Sequence, residues 1–210
     1  DFFGSGLDAI AVWDNVSQRH QGIELEGFYD ISDNLRLSFM GSVNDWRYAE
    51  DAAGTITEIG NPTNSQQKNL YIGDAKVGDA AQTTANLNLR YSPFRNFSVD
   101  VNWRYAGDLY ADFSVLDTEF DAPNNRGAMA LPNYSLTDFG ASYRWDFSNG
   151  NNLFFRANVN NIFDEVYIAE GSTSFHVDNN TVDTWNGIDT TNNVWFGFGT
   201  TWNFSVSYNF

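Results

Sequence analysis

Two glutamates, Glu24 and Glu26, are the first residues whose spacing could support chemistry. On a β-strand, residues two positions apart lie on the same face, so the two carboxylates would be neighbours. Paired carboxylates can perform general acid and base catalysis, but they also form ion pairs with arginines on adjacent strands. We favour the ion-pair interpretation. The sequence contains no phosphate-binding glycine loop, nucleophile elbow or zinc motif.

The histidines raise the possibility of a metal site. His20 and His176 are the only imidazoles, and Asp178 follows His176 by two residues. A metal site would need further ligands at coordinating spacing, and no cysteine is present to supply a thiolate. The acidic stretches 108–121 and 178–189 match no repeated calcium-loop motif, so we interpret them as solvated loops. We therefore expect no metal, no cofactor and no catalytic residue, and we do not expect an enzyme.

A cluster of asparagines is a candidate for ligand contact. Asn158, Asn160 and Asn161 lead into Asp164, and their amides could hold a ligand or water. The same residue types favour Asx-type turns at the point where a strand gives way to a loop. We prefer the turn interpretation for this segment.

The composition excludes several classes of protein. Acidic residues outnumber basic ones by 27 to 11 and the net charge is −16, which argues against a nucleic-acid partner. The absence of cysteine excludes a disulfide scaffold. No apolar run is long enough for a membrane-spanning helix, although strands that alternate between two environments would escape that criterion. The first residues carry no targeting signal, so we expect a mature or truncated chain.

A two-residue alternation of apolar and polar side chains recurs along the sequence. Between residues 97 and 105 every odd position is apolar or aromatic, while every even position is polar or charged. This period is typical of strands with two different faces. The pattern predicts seven strands, at about 18–29, 35–48, 83–92, 97–106, 135–146, 153–161 and 195–210.

The parity of the strands places five arginines on the polar face. These are Arg36, Arg90, Arg104, Arg144 and Arg156, and they can pair with Asp100, Asp138 and other acids. We therefore expect a ladder of structural ion pairs on this face.

The connections between the strands alternate between short and long. The short ones, about 30–34, 92–96 and 147–152, are rich in turn-forming residues. The long ones, about 49–82, 107–134 and 162–194, are polar, and residues 1–17 have the character of another long loop. Outer-membrane barrels have this asymmetry, with short periplasmic turns and long extracellular loops. We therefore expect the long loops and the short turns on opposite sides of the outer membrane, with the C-terminus periplasmic.

A soluble β-sandwich is the alternative to a barrel. Sandwich cores are rich in branched aliphatic side chains, whereas the outward rows here end in aromatic residues, as at the interfaces of a membrane. The count of seven is odd, while bacterial single-chain barrels have even counts. We favour an all-β transmembrane antiparallel barrel of which further strands lie outside this chain.

Three segments in order resemble the end of the barrel in TonB-dependent transporters. Residues 153–167 (LFFRANVNNIFDEVY) resemble the penultimate strand, where a hydrophobic-x-Asn-hydrophobic-Phe-Asp-x-x-Tyr pattern closes the strand. Residues 131–143 (LPNYSLTDFGASY) are similar to the strand before it, and residues 199–210 (GTTWNFSVSYNF) to the last strand. Residues 77–84 (VGDAAQTT) resemble a strand entry, although Pro is common where Ala81 stands, and many members carry Arg at the position of Thr200.

The resemblance implies that residues 1–210 are the C-terminal portion of a barrel, the last seven of 22 strands. In the family a plug domain closes the barrel, and a segment ahead of the plug contacts TonB; both lie outside this chain. The implied function is TonB-dependent import of a siderophore, vitamin, glycan or peptide. A passive porin, or an enzyme or adhesin on the same barrel, is the alternative. The implied partners are lipid and lipopolysaccharide, the remaining strands and plug, TonB and an imported ligand.

Two further expectations follow from the barrel interpretation. Candidate contacts with the ligand, in the lumen or loops, are Glu24, Glu26, Arg104, Arg156, Asn158, Asn160, His176 and Asp178. Seven apolar residues should face lipid, so none should lie in a protein core: Leu87, Leu89, Val99, Val101, Phe155, Phe204 and Val206. The last strand should pair on one side with 153–161 and on the other with a strand outside this sequence, because an unpaired edge in lipid is costly.

Overall fold

The computed structural model describes residues 9–14, 16–114 and 118–210. They form a 3-10 helix, Thr118–Asp121, and sixteen strands. The strands are β1 (Ala9–Asp14), β2 (Gln18–Ser32), β3 (Leu35–Tyr48), β4 (Ala52–Glu58), β5 (Ser65–Leu70), β6 (Thr83–Phe94), β7 (Phe97–Gly107), β8 (Leu109–Tyr110), β9 (Ala130–Leu131), β10 (Tyr134–Asp146), β11 (Asn152–Asn160), β12 (Ile168–Gly171), β13 (Thr184–Trp185), β14 (Ile188–Asp189), β15 (Val194–Phe196) and β16 (Thr201–Asn209). Within these ranges no helix is long and apolar enough to cross a membrane.

Seven of the strands form one antiparallel sheet in the order β16-β11-β10-β7-β6-β3-β2. The register aligns apolar residues in rows that cross the whole sheet, because alternate residues of every strand point to the same face. One such row runs Tyr29, Leu37, Leu89, Val101, Phe139, Val159 and Trp202. In the described chain β16 has one neighbour, β11, and β2 has one neighbour, β3.

Among the described residues, no second sheet packs against the apolar face of this sheet. The residues expected to avoid a core are all at least partly exposed, with Phe204 at 59% and Leu87 at 43%. Both clusters of buried apolar side chains lie in the long connections instead. The expectation that these seven residues lie outside a protein core is therefore confirmed. The alternative of a β-sandwich, in which they would form a shared core, is wrong.

Short and long connections leave the sheet at opposite ends, as the sequence predicts. The hairpins β2–β3, β6–β7 and β10–β11 close one end, which we call the turn end. The connections β3–β6, β7–β10 and β11–β16 emerge at the other, which we call the loop end.

The expectation that the long connections are simple polar loops is wrong. Residues 9–14, expected in a loop tail, form β1, which pairs with β4 in a three-stranded sheet completed by β5. The long connections fold because apolar side chains from different connections pack together and are buried from water. One cluster contains Ala52, Leu70, Ile72, Ala75 and Phe120, and the other contains Leu109, Ala111, Met129, Leu131, Ile168 and Ile188.

The expectation of one continuous strand at 195–210 is also wrong. The chain leaves strand conformation between β15 and β16, and β15 pairs with β12 outside the main sheet. Two glycines allow this break. A Cβ at Gly197 would overlap the ring of Tyr167, and a Cβ at Gly199 would lie 2.6 Å from the Asp164 carboxylate.

Candidate ligand-binding site

Two arginine–aspartate pairs organise the polar face between β7 and β11. Arg156 of β11 hydrogen-bonds both carboxylate oxygens of Asp100 in β7, at 2.5 and 2.9 Å, and donates a third bond to Asn158 at 2.7 Å. Its guanidinium crosses β10 directly over Gly140, where a Cβ would overlap it. With 29% and 17% of the two side chains exposed, this pair is mostly enclosed.

The second pair lies nearer the loop end and is more open. Nη2 of Arg104 is 2.9 Å from one oxygen of Asp138, and 48% of the Arg104 side chain is exposed. Asp138 also accepts the backbone N–H of Asn161 at 2.9 Å, which ties it to the end of β11. Ion pairs are confirmed for Arg36, Arg104, Arg144 and Arg156. For the two pairs of this site, the register of β7, β10 and β11 decides which arginine meets which aspartate. The expectation is wrong for Arg90, which has no acidic partner within salt-bridge distance in the described residues and donates to the Ser98 hydroxyl at 3.3 Å.

The open pair is part of a cleft of about 460 Å³ at the loop end of the polar face. Four adjacent strands contribute to it: Asn102 and Arg104 come from β7, Asp138 from β10, Asn160 from β11 and Thr201 from β16. Tyr167 lines one side, and its ring contacts that of Tyr134 at a tilt of 35°, with 4.3 Å between centroids. The cleft combines carboxamides, a hydroxyl, an aromatic pair and one ion pair.

The asparagine cluster divides into two roles. Asn160 donates to Thr201 at 3.2 Å inside the cleft, while Asn158 donates to Asn203 at 2.8 Å one step farther down the face. Asn161 instead binds backbone: its amide donates to the carbonyls of Glu165 and Phe198 and accepts the N–H of Glu165.

The backbone of the turn that follows β11 requires residues that tolerate positive φ, and the sequence has Asn161 and Asp164 at those positions. Asn161 and Asp164 both have positive φ, of 49° and 54°, which these residues tolerate better than most. Asp164 accepts the backbone N–H of Thr200 at 2.8 Å, and the Thr200 hydroxyl donates to the Asn161 carbonyl at 2.7 Å. This part of the asparagine cluster therefore fastens the start of β16 to the end of β11, in agreement with the turn interpretation.

The two glutamates singled out by their spacing lie elsewhere. Glu24 and Glu26 line a separate cleft near the β2 edge of the sheet, together with Asn44 and Trp46. The Trp46 indole stacks on His20, with ring centroids 5.1 Å apart. In the described residues neither glutamate has an arginine partner within salt-bridge distance, so the expected ion pairs are not seen for them.

The remaining sequence candidates belong to the connections β3–β6, β7–β10 and β11–β16, which pack around the two apolar clusters and which we call the loop layer. The His176 ring bonds the Gly127 carbonyl through Nε2 at 2.9 Å and so joins two connections. Asp178 accepts the backbone N–H of Asn180 in its own turn, at 2.7 Å. Over the described ranges no group of His, Cys, Asp and Glu side chains could hold a metal ion.

Glu119 of the loop layer has a pKa lowered by a neighbouring arginine. Burial alone would raise the pKa of Glu119, but hydrogen bonds from the Arg126 side chain and backbone outweigh it and lower the pKa below its ordinary value of 4.5. The backbone N–H of Arg126 donates to Glu119 at 2.6 Å, and Nη2 donates at 3.1 Å. This pair closes the segment that follows the 3-10 helix.

Sequence reasoning singled out Arg104 and Asn160 but not Asn102, Tyr167 or Thr201, which also line the cleft. Asn102 shares the polar parity of Arg104 and could have been found from the alternation alone. Tyr167 and Thr201 could not, because the first follows a turn and the second depends on the register between β11 and β16.

Comparison with known proteins gives one family and one structural likeness. The profile of the TonB dependent receptor-like β-barrel family matches residues 1–162. Among solved structures, the ferric-catecholate import receptor Fiu from Escherichia coli K12, in its closed form, is 19% identical with a TM-score of 0.44. That match covers 91% of this chain, which spans 27% of the length of the receptor. No curated protein matches the chain.

Proposed function

The chain belongs to the TonB-dependent receptor-like β-barrel family, and on that premise we propose that it forms part of the wall of an outer-membrane receptor that imports an external ligand with energy delivered through TonB. The apolar face of the seven-stranded sheet contacts lipid. The polar face lines the lumen, and the folded loop layer faces the outside of the cell. The plug and the segment that contacts TonB are supplied by other parts of the receptor.

The two-sided character of the sheet is the observation that carries this proposal. Rows of apolar and aromatic side chains cross one face from β2 to β16, and no protein layer covers them in the described chain. The opposite face holds two arginine–aspartate pairs and their hydrogen-bond partners. A sheet with these faces suits a wall between lipid and a polar lumen.

The folded loop layer supports the assignment of the outer side. Long connections of outer-membrane barrels are extracellular, and here they are packed around two apolar clusters at one end of the sheet. Lipopolysaccharide surrounds the barrel at this level. The short hairpins and the C-terminus are then periplasmic.

Transport by the full-length receptor tests the proposal. Cells that produce the receptor are assayed, with and without functional TonB, for accumulation of four radiolabelled probes: a ferric catecholate siderophore, cyanocobalamin, a neutral hexasaccharide and a tripeptide. The purified receptor is also placed in liposomes and tested for swelling in L-arabinose. We expect accumulation of a probe only when TonB is present, and no swelling, because a plugged barrel has no open channel.

Two results would contradict this function. Swelling equal to that given by a general porin would indicate passive diffusion through an open channel. Accumulation that is independent of TonB, or accumulation of none of the probes, would count against energised import.

A further inference from the structure

The cleft at the loop end carries hydrogen-bonding groups that the protein leaves unused. Arg104 contacts Asp138 through Nη2, while its Nε and Nη1 have no hydrogen-bond partner within the described ranges. The Asn102 carboxamide likewise has no partner there. A guanidinium has five N–H donors and a carboxamide both donates and accepts, so the cleft offers donors and acceptors together.

The charge of the cleft is balanced. Arg104 and Asp138 are the only charged side chains among the described residues that line it, and they neutralise one another at 2.9 Å. A strongly anionic or cationic ligand would have to compete with this ion pair for its partner. A neutral ligand can use the free N–H groups without breaking the pair.

The Tyr167 ring adds an aromatic surface beside these polar groups. It lines the cleft and is held by contacts with the Tyr134 ring, at 4.3 Å between centroids, and with Gly197. The volume of about 460 Å³ lies within the range of about 300–1,000 Å³ of small-molecule sites. Sugars have both required features, since each hydroxyl donates and accepts and the ring has an apolar face.

A second arginine on the same face shows what a purely structural role looks like. All three hydrogen bonds of Arg156 go to protein partners, Asp100 and Asn158, and the pair is mostly enclosed. Arg104 has the same kind of partner but is half exposed and keeps free donors. The contrast separates the cleft from the rest of the ion-pair ladder.

We propose that the cleft formed by Asn102, Arg104, Asp138, Asn160, Tyr167 and Thr201 binds a neutral saccharide on its way through the barrel. This inference rests on the proposed function, because it names the class of ligand that the receptor imports. Arg104 and Asn102 donate to saccharide hydroxyls, and the Tyr167 ring packs against the apolar face of a sugar ring.

Calorimetry on the purified full-length receptor tests the proposal. The probes are malto-, cello-, laminari-, manno- and xylohexaose, each titrated separately. We expect one of them to bind, and Arg104→Gln to weaken that binding about tenfold or more, as loss of hydrogen bonds from a charged donor does. Asn102→Leu removes the carboxamide and adds apolar volume at a residue that has no hydrogen-bond partner within the described ranges, so it should also weaken binding.

Arg144→Gln is the matched control. Arg144 pairs with Asp146 at 2.9 Å and is 44% exposed, close to the 48% of Arg104, but it lies at the turn end of β10. This variant should bind within twofold of the unmodified receptor. Each variant is first checked for the shift in electrophoretic mobility that a folded barrel shows on heating.

The outcomes separate this proposal from the proposed function. If no neutral hexasaccharide binds, or if Arg104→Gln and Asn102→Leu bind as well as Arg144→Gln, the saccharide site is wrong. TonB-dependent accumulation of a different probe would in that case leave the import function in place. If accumulation does not depend on TonB, the import function fails whatever the calorimetry shows.

Discussion

Arg156 and Asp100 are joined by two hydrogen bonds, of 2.5 and 2.9 Å, across the strand that separates them. The intervening residue of β10 is Gly140, and the absence of a side chain there makes room for the guanidinium. The pair therefore links three strands, β7, β10 and β11, on the polar face. A glycine inside a strand normally weakens it, and here it permits a contact that stabilises the sheet.

Gly140→Ala should break this contact. A Cβ at position 140 would overlap the guanidinium and lie 2.7 Å from Asp100, so the full-length receptor should lose roughly 1–3 kcal/mol of stability. Gly41→Ala is the control, because a Cβ there meets its nearest neighbour, the Thr84 carbonyl, at an ordinary 3.6 Å. Urea unfolding in lipid vesicles measures both. Equal stability of the two variants would mean that the pair does not depend on Gly140.

Asn161→Ala should loosen the turn between β11 and β16. The substitution removes three hydrogen bonds to backbone and puts alanine at a φ of 49°. Asn186→Ala is the control, since Asn186 lies in an exposed hairpin turn with a similar φ of 46°. In the described chain its side chain makes no hydrogen bond to the backbone.

The measurement is hydrogen exchange of the Glu165 backbone N–H, which donates to the Asn161 side chain. Its protection falls if the turn is loosened. We expect protection there to fall strongly in Asn161→Ala and to stay unchanged in Asn186→Ala. The difference between the two variants corresponds to about 1–3 kcal/mol of lost hydrogen bonding. Unchanged protection in Asn161→Ala would show that the turn is held by other contacts.

The sequence predicted the main sheet well because its signal is local. Alternation with a period of two reports directly on the two faces of a strand, so Val101 and Asp100 could be assigned to opposite faces without a structure. The ion pairs were predicted as a set for the same reason. Which acid each arginine meets was beyond the sequence, because it depends on the register of β7 against β10 and β11.

The loop layer was not predicted because its contacts join distant segments. Phe120 is fully buried, yet its neighbours Ala52 and Leu70 come from a different connection, and no local period records such a contact. The break at Gly197 was missed for a similar reason. The alternation continues through residues 195–210, while the close approach of Tyr167 is visible only in three dimensions.

Acid should weaken the loop layer through Glu119. Arg126 lowers the pKa of Glu119, so the ionised carboxylate stabilises the folded state. This contribution is complete above the ordinary pKa of 4.5 and is lost as the pH falls through the lowered pKa. Thermal unfolding of the full-length receptor between pH 7 and pH 3 is the measurement. Glu119→Gln and Arg126→Gln should each lower the unfolding temperature at pH 7 and reduce its decrease in acid.

This role of Glu119 would be contradicted if the unfolding temperature fell by the same amount between pH 7 and pH 3 in both variants and in the unmodified receptor. The pair would then be a surface contact without consequence for stability, as many exposed ion pairs are.

Labelling of single cysteines in intact cells tests the membrane topology most directly. The chain contains no cysteine, so a thiol introduced at Gly127, Asn180, Asp33 or Gly150 is the only one in this part of the receptor. With a membrane-impermeant maleimide we expect rapid labelling at Gly127 and Asn180, in the loop layer, and protection at Asp33 and Gly150, in the turns, until the outer membrane is permeabilised. Labelling of the turns in place of the loops would contradict the account, and so would equal labelling of all four positions in intact cells.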